Sequence, residues 1–170
     1  MRMVIKTVES PNKDELHNLF ERAFAEILHD ETGYFTEALN QDTLVDWFDF
    51  EAMIDYLPNG SLIEARDDQD TLIGAGFIAK QNLMSWPDGH KAELFIIGVL
   101  PGTQTQGLGS SILLECEKAA KTFGAESVIV NAHSMQPQLH KFYLKNGYQR
   151  IGELQNYYAN GQATFFSKKI

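Results

Sequence analysis

The chain holds one cysteine, Cys116, so no internal disulfide framework is available to it. Cys116 falls on the apolar stripe of a helical segment, which reads as buried core rather than a nucleophile. Basic side chains are scarce, 14 against 23 acidic ones, for a net charge of −9. An acidic surface repels nucleic acid and anionic membranes and mildly attracts cationic small molecules or basic peptide ends. No apolar run approaches the length of a membrane span, and the start, Met1-Arg2-Met3-Val4-Ile5-Lys6, has no signal-peptide core. The expected setting is cytoplasmic, with no membrane and no nucleic-acid partner. The five histidines, His17, His29, His90, His133 and His140, show no metal-ligand spacing, so no metal is expected. Repeats, low-complexity runs and linkers are also lacking, and 170 residues then read as one domain, 1–170.

What is there alternates between strand and helix patterns. Residues 3 to 8 read as a short strand, and Asn12 with Glu15 three residues on marks a helix start. Leu16, Leu19, Phe20, Ala23, Phe24, Ile27 and Leu28 make one apolar stripe. A second helical segment is expected from about Asp42 to Leu57, ended by Pro58-Asn59-Gly60. Ser61 to Arg66 and Thr71 to Gln81 read as strands joined by a polar turn. Beyond Gly124, Ser127 to Asn131 is a short buried strand, and a helix follows from about Gln136 to Asn146, stopped by Gly147. Tyr148 to Leu154 and Gln162 to Lys168 form a hairpin around Asn160-Gly161. The order β-α-α-β-β-β-α-β-α-β-β predicts an α/β fold with a mixed sheet and helices on both faces.

The most informative stretch runs from Ala92 to Phe123. Leu94 to Leu100 is almost wholly apolar, as in a strand covered on both faces. A Gly-rich turn follows, then an amphipathic helix ended by Gly124. A glycine-rich loop opening a helix turns backbone N–H groups outward at the positive end of the helix dipole, an arrangement that binds phosphate. The loop has Gly102-x-x-x-x-Gly107, but Leu108 stands where a P-loop needs lysine, which opposes ATP or GTP hydrolysis. Ile112 occupies the place of the third glycine of a dinucleotide fingerprint, which opposes NAD.

Gln104-x-x-Gly107-x-Gly109 directly after an apolar strand resembles motif A of the GNAT superfamily, the GCN5-related N-acetyltransferases. Glu93, eleven residues before Gln104, matches the spacing of the general base in the histone-acetylating branch. His140-Lys141-Phe142-Tyr143-Leu144-Lys145-Asn146-Gly147-Tyr148 resembles motif B, in which a tyrosine precedes a Gly-aromatic pair. The resemblance covers Glu93 to Tyr148, roughly a third of the chain.

The resemblance implies a six- to seven-stranded mixed sheet flanked by about four helices, with two central parallel strands splayed to admit the pantetheine arm of acetyl-CoA. It implies transfer of acetyl to a primary amine of a small molecule or peptide. Glu93 would be the base and Tyr143 the acid that protonates the departing thiolate. Gln104, Thr105, Gln106, Gly107, Leu108, Gly109 and Ser110 would cradle the pyrophosphate. Ile97 would supply a main-chain donor to the oxyanion, freed by a strand distortion that Gly98 suits. Val99, Asn131 and Gln136 would contact pantetheine. His133 is a second candidate base, more readily read as a solvated loop residue. Glu31, Tyr34, Phe35 and Trp86 are candidate acceptor contacts. Two departures stand out: the loop from Thr103 to Gly109 has no Arg or Lys, leaving Lys141 and Lys145 as the nearby cations, and Gln136 replaces the usual asparagine. The alternative reading is a non-catalytic acyl-CoA-binding module of the same fold, and a homodimer is compatible with either.

Overall fold

Strand and helix patterns of this kind close a core when each apolar stripe finds a sheet face. A computed structural model describes residues 3–28, 55, 57–80, 90–103, 107–134, 136–158 and 161–170. They contain seven strands: β1 (Val4–Val8), β2 (Gly60–Arg66), β3 (Leu72–Lys80), β4 (Lys91–Val99), β5 (Ser127–His133), β6 (Gln149–Tyr158) and β7 (Gly161–Lys169). Among the described residues there are three α-helices, α1 (Lys13–Leu28), α2 (Leu108–Thr122) and α3 (Pro137–Lys145). The helix expected from Asp42 lies outside them apart from its end, where Leu57–Asn59 forms a 3₁₀ turn. No described helix is long and apolar enough to cross a membrane.

The strands form one sheet in the order β1-β2-β3-β4-β5-β7-β6. Only β4 and β5 run parallel; the other neighbours are antiparallel. Strand β5 runs two residues further than the sequence suggested, taking in Ala132 and His133. The β6–β7 hairpin is also longer than expected at both ends of its turn.

Helix α1 starts where Asn12 accepts hydrogen bonds from the N–H groups of Asp14 and Glu15, at 3.1 and 3.3 Å. Its stripe packs on β3 and β4, with Leu16, Leu19 and Phe20 buried. A methyl on Gly98 would stand 3.0 Å from the Phe20 ring, so the glycine lets α1 approach β4. Helix α2 covers the other face: a Cβ on Gly74 would lie 2.7 Å from Ile112, and one on Gly76 3.0 Å from Cys116. Cys116 is fully buried there, and burial pushes its thiol pKa well up, as a core residue requires. Helix α3 lies on the α2 face, since Tyr143 packs on Phe166 and Phe166 pairs with Val130 of β5. Partly buried ion pairs tie the layers: Lys168 of β7 holds both oxygens of Glu117 on α2, and Arg66 of β2 bridges Glu64 and Glu15.

Candidate functional site

The site begins where the sheet opens. Strands β4 and β5 pair only at Lys91–Ser127, Ala92–Val128 and Glu93–Ile129. Strand β4 continues to Val99 and β5 to His133 without further pairing between them, so the two diverge from Glu93 onward. This is the splay that the resemblance implied.

A bulge sits at the mouth of the opening. Phe77 lies opposite Ile96 while Ile78 lies opposite Leu94, so Phe95 is the inserted residue. This corrects the sequence reading, which placed the distortion at Gly98. Gly98 pairs regularly with Ala75 and Ile97 with Gly76; the glycine serves the close approach of Phe20 instead. The bulge changes which face each side chain takes. Before it, Glu93 points to the α1 face with Ala79, and Leu94 to the α2 face with Ile78. After it, Ile97 and Val99 lie on the α2 face beside Gly76 and Gly74. Glu93, Ile97 and Val99 are half-buried along the edge left by β5.

The glycine-opened start of α2 belongs to the helix that covers the α2 face of the sheet. Gly107 is the N-cap of α2 with φ of 75°, a left-handed conformation that β-carbon-bearing residues resist, and no side chain caps the helix. The first helical bond runs from the Ser111 N–H to the Gly107 carbonyl, at 3.0 Å. The N–H groups of Leu108, Gly109 and Ser110 therefore begin the helix ahead of that bond, at the positive end of its dipole. Among the described residues, nothing lies within 4 Å of where a Cβ on Gly107 would point. A Cβ on Gly109 would meet the Phe142 ring of α3 at 3.4 Å. Buried Leu108 anchors the loop. A polyanion fits this end, and the described cradle relies on main-chain donors; Lys141 and Lys145 on α3 are exposed. Gln104, Thr105 and Gln106 lie outside the described residues, as do Glu31, Tyr34, Phe35 and Trp86.

Tyr143 is 3% exposed, with its ring among Phe142, Tyr148 and Phe166 at centroid distances of 5.3, 5.7 and 5.6 Å. It lies on the face of the sheet opposite to Glu93. Gln136 is the buried N-cap of α3, and its N–H donates to the His133 carbonyl at 3.0 Å. His133 is not a loop residue: it is buried in β5. Burial, with a smaller contribution from His140, lowers its pKa, so it is neutral near pH 7.

The α1 face of the opening gathers residues that the sequence did not connect. Asn131, two positions beyond Ile129, shares a face with Glu93 and lies opposite Phe165 of β7. Tyr157 of β6 packs edge-on against Phe165, with ring centroids 5.5 Å apart. Its hydroxyl is hydrogen-bonded by the Asn131 side chain. Partial burial raises the Tyr157 pKa, the charge of Glu93 raises it further, and the Asn131 bond opposes both. The side chain of Asn131 thus serves the Glu93 side, whatever its main chain contacts. Tyr157 was missed because its position depends on an irregularity in β6. Leu154 pairs with Ala163 and Tyr158 with Gly161, so residues 155 to 157 stand against Gln162 alone. Asn156 takes φ of 56° within that bulge, and this re-aims Tyr157. The asparagine was the one visible signal.

The comparisons agree with this geometry. The chain superimposes on an IAA acetyltransferase from Bacillus cereus with a TM-score of 0.69 at 13% identity, covering 99% of this chain and 100% of the other. A GNAT family acetyltransferase from Elizabethkingia anophelis, solved with acetyl-CoA bound, gives 0.66 at 15% identity, covering 99% and 98%. An aminoglycoside 6'-acetyltransferase type Ii gives 0.69 at 21% identity, covering 98% and 96%. These likenesses show a shared fold. The comparison with curated proteins finds no match. The acetyltransferase (GNAT) family profile matches residues 15–148, most of the chain, and with the splayed strands and glycine-opened helix in place, the chain belongs to the GNAT acetyltransferase family.

Proposed function

We propose that this protein is an acetyl-CoA-dependent N-acetyltransferase that acetylates a primary amine of a small molecule or peptide by direct attack on the thioester. The observation that supports it most is the opening between β4 and β5, with the α2 cradle on one face and Glu93 on the other. Acetyl-CoA supplies an activated carbonyl and a thiolate leaving group. The main-chain N–H groups at Leu108, Gly109 and Ser110, with the Gln104–Gln106 segment, hold its pyrophosphate. The main chain of Ile97 offers its N–H to the oxyanion, and the main chain of Val99, with Gln136, lines the path of the pantetheine arm.

An amine acceptor arrives largely as an ammonium, with a pKa of about 10.4 for a lysine-like group, and has no lone pair until a proton leaves. Glu93 takes that proton. The amine nitrogen attacks the carbonyl carbon, the C–N bond forms, and the C–S bond breaks. The Tyr143 hydroxyl gives a proton to the departing sulfur, and the second proton, shed by the nitrogen as the amide forms, restores the tyrosine.

The test follows free thiol released from acetyl-CoA in the presence of a primary-amine panel. Amine-dependent thiol release with an acetylated product is the expected result. Tight acetyl-CoA binding without release for any amine would instead establish a binding module.

A further inference from the structure

Resting on that reading, the structure also bears on which amines fit. We propose that Tyr157 is a specificity-determining residue of the acceptor site, its ring packing against an apolar flank next to the reacting nitrogen, so that arylalkylamines are preferred over polyhydroxylated amines. The juxtaposition is built from four strands. Glu93 ends the β4–β5 ladder, Asn131 lies two residues further along β5 on the same face, Phe165 lies opposite Asn131 on β7, and Tyr157 of β6 reaches across onto Phe165. The Asn131 side chain holds the hydroxyl and the Phe165 ring holds the edge, so the Tyr157 ring has a set orientation.

The surface left to a ligand is aromatic. Tyr157 is 47% exposed and Phe95, two residues beyond Glu93 on the bulge, is 46% exposed. A half-exposed tyrosine ring on the face that carries Glu93 suits a ligand with a cationic end and an apolar body. The carboxylate takes the ammonium, and the ring removes the adjoining carbons from water and faces the cation with its π-cloud. A polyhydroxylated amine gains little there, because ring faces cannot replace the water its hydroxyls give up. The backbone of β6 supports a dedicated role. The bulge with Asn156 at φ of 56°, a left-handed conformation that asparagine accepts, sets Tyr157 onto Phe165, on the face that carries Asn131 and Glu93.

The experiment compares 2-phenylethylamine with kanamycin as acceptors for wild type, Tyr157→Ala and Tyr157→Phe, with acetyl-CoA also varied. Wild type is expected to favour 2-phenylethylamine in kcat/KM. Tyr157→Ala should cut that preference about tenfold, the worth of one ring's contact area, through the KM of the arylalkylamine. The KM for acetyl-CoA should stay within about twofold, since no cofactor contact is removed. Tyr157→Phe keeps the ring and should retain most of the preference, which separates a contact from damage to the fold. Equal loss on both amines, a parallel rise in the KM for acetyl-CoA, or a wild type without the preference would each overturn the inference while leaving acetyl transfer standing. A wild type that acetylates no amine would overturn the functional reading, and this inference with it.

Discussion

Glu93 stands at the last rung of the β4–β5 ladder, with apolar neighbours along the strand and Tyr157 across the opening. If it takes the amine proton, Glu93→Gln keeps shape and hydrogen bonding but removes the basic lone pair. Turnover near neutral pH should fall and recover as pH rises and free amine becomes available. Wild-type and variant pH–rate curves, measured with one acceptor, should therefore differ in shape. Curves that superimpose after scaling would remove Glu93 from the mechanism and turn attention to His133, which is buried on the same face and held neutral. Tyr143 is tested by loss of a single oxygen. Tyr143→Phe preserves the contacts with Phe142, Tyr148 and Phe166, so the fold and acetyl-CoA binding should persist. The chemical step should slow by about 10²–10⁴-fold, the usual contribution of a positioned proton donor. A pre-steady-state rate within about threefold of wild type would leave Tyr143 as packing alone.

At the scale of the element, the cradle depends on how α2 starts. Gly107 holds the left-handed conformation that lets the following N–H groups face outward. Two substitutions separate backbone strain from blocked access. Gly107→Val adds a β-branched side chain at positive φ and should lower the melting temperature as well as acetyl-CoA affinity. Gly107→Asn tolerates that conformation, so it should melt near wild type while still losing about tenfold in affinity, because its side chain enters the space the phosphates need. Calorimetric titration of the Asn variant decides the point. Wild-type affinity would place the phosphate site elsewhere.

For the whole molecule, on the proposed reading acetyl-CoA binds only the assembled sheet, since its contacts would come from β4, α2 and α3 together. Acetyl-CoA at a hundred times its dissociation constant should stabilise the fold by about 2.7 kcal/mol. In a chain of this length that corresponds to a rise of about 5–10 °C in the melting temperature. ATP and NAD at equal concentration should leave the melt unchanged, since Leu108 and Ile112 replace the lysine and glycine that their loops use. Equal shifts from ATP and acetyl-CoA would contradict the assignment.

Much of this architecture was legible along the chain. Apolar runs bounded by turn residues located β2, β3 and β4, and the 3.6-residue period located α1, α2 and α3, to within a few residues, because both patterns record which side of each element meets the core. Gly107 announced the turn that opens α2 through its spacing, since a local backbone conformation needs only local residues. Register and divergence were not legible in the same way. The bulge fell at Phe95 and not at Gly98 because it depends on how β3 pairs with β4, a contact between segments distant in sequence. His133 proved to be buried in β5 because β7 runs alongside it, and Ala163 lies opposite. Tyr157 joined Glu93 and Asn131 only through the order β4-β5-β7-β6 and the bulge at Asn156. Local periodicity determines which residues face inward; only the pairing of distant strands decides which of them meet.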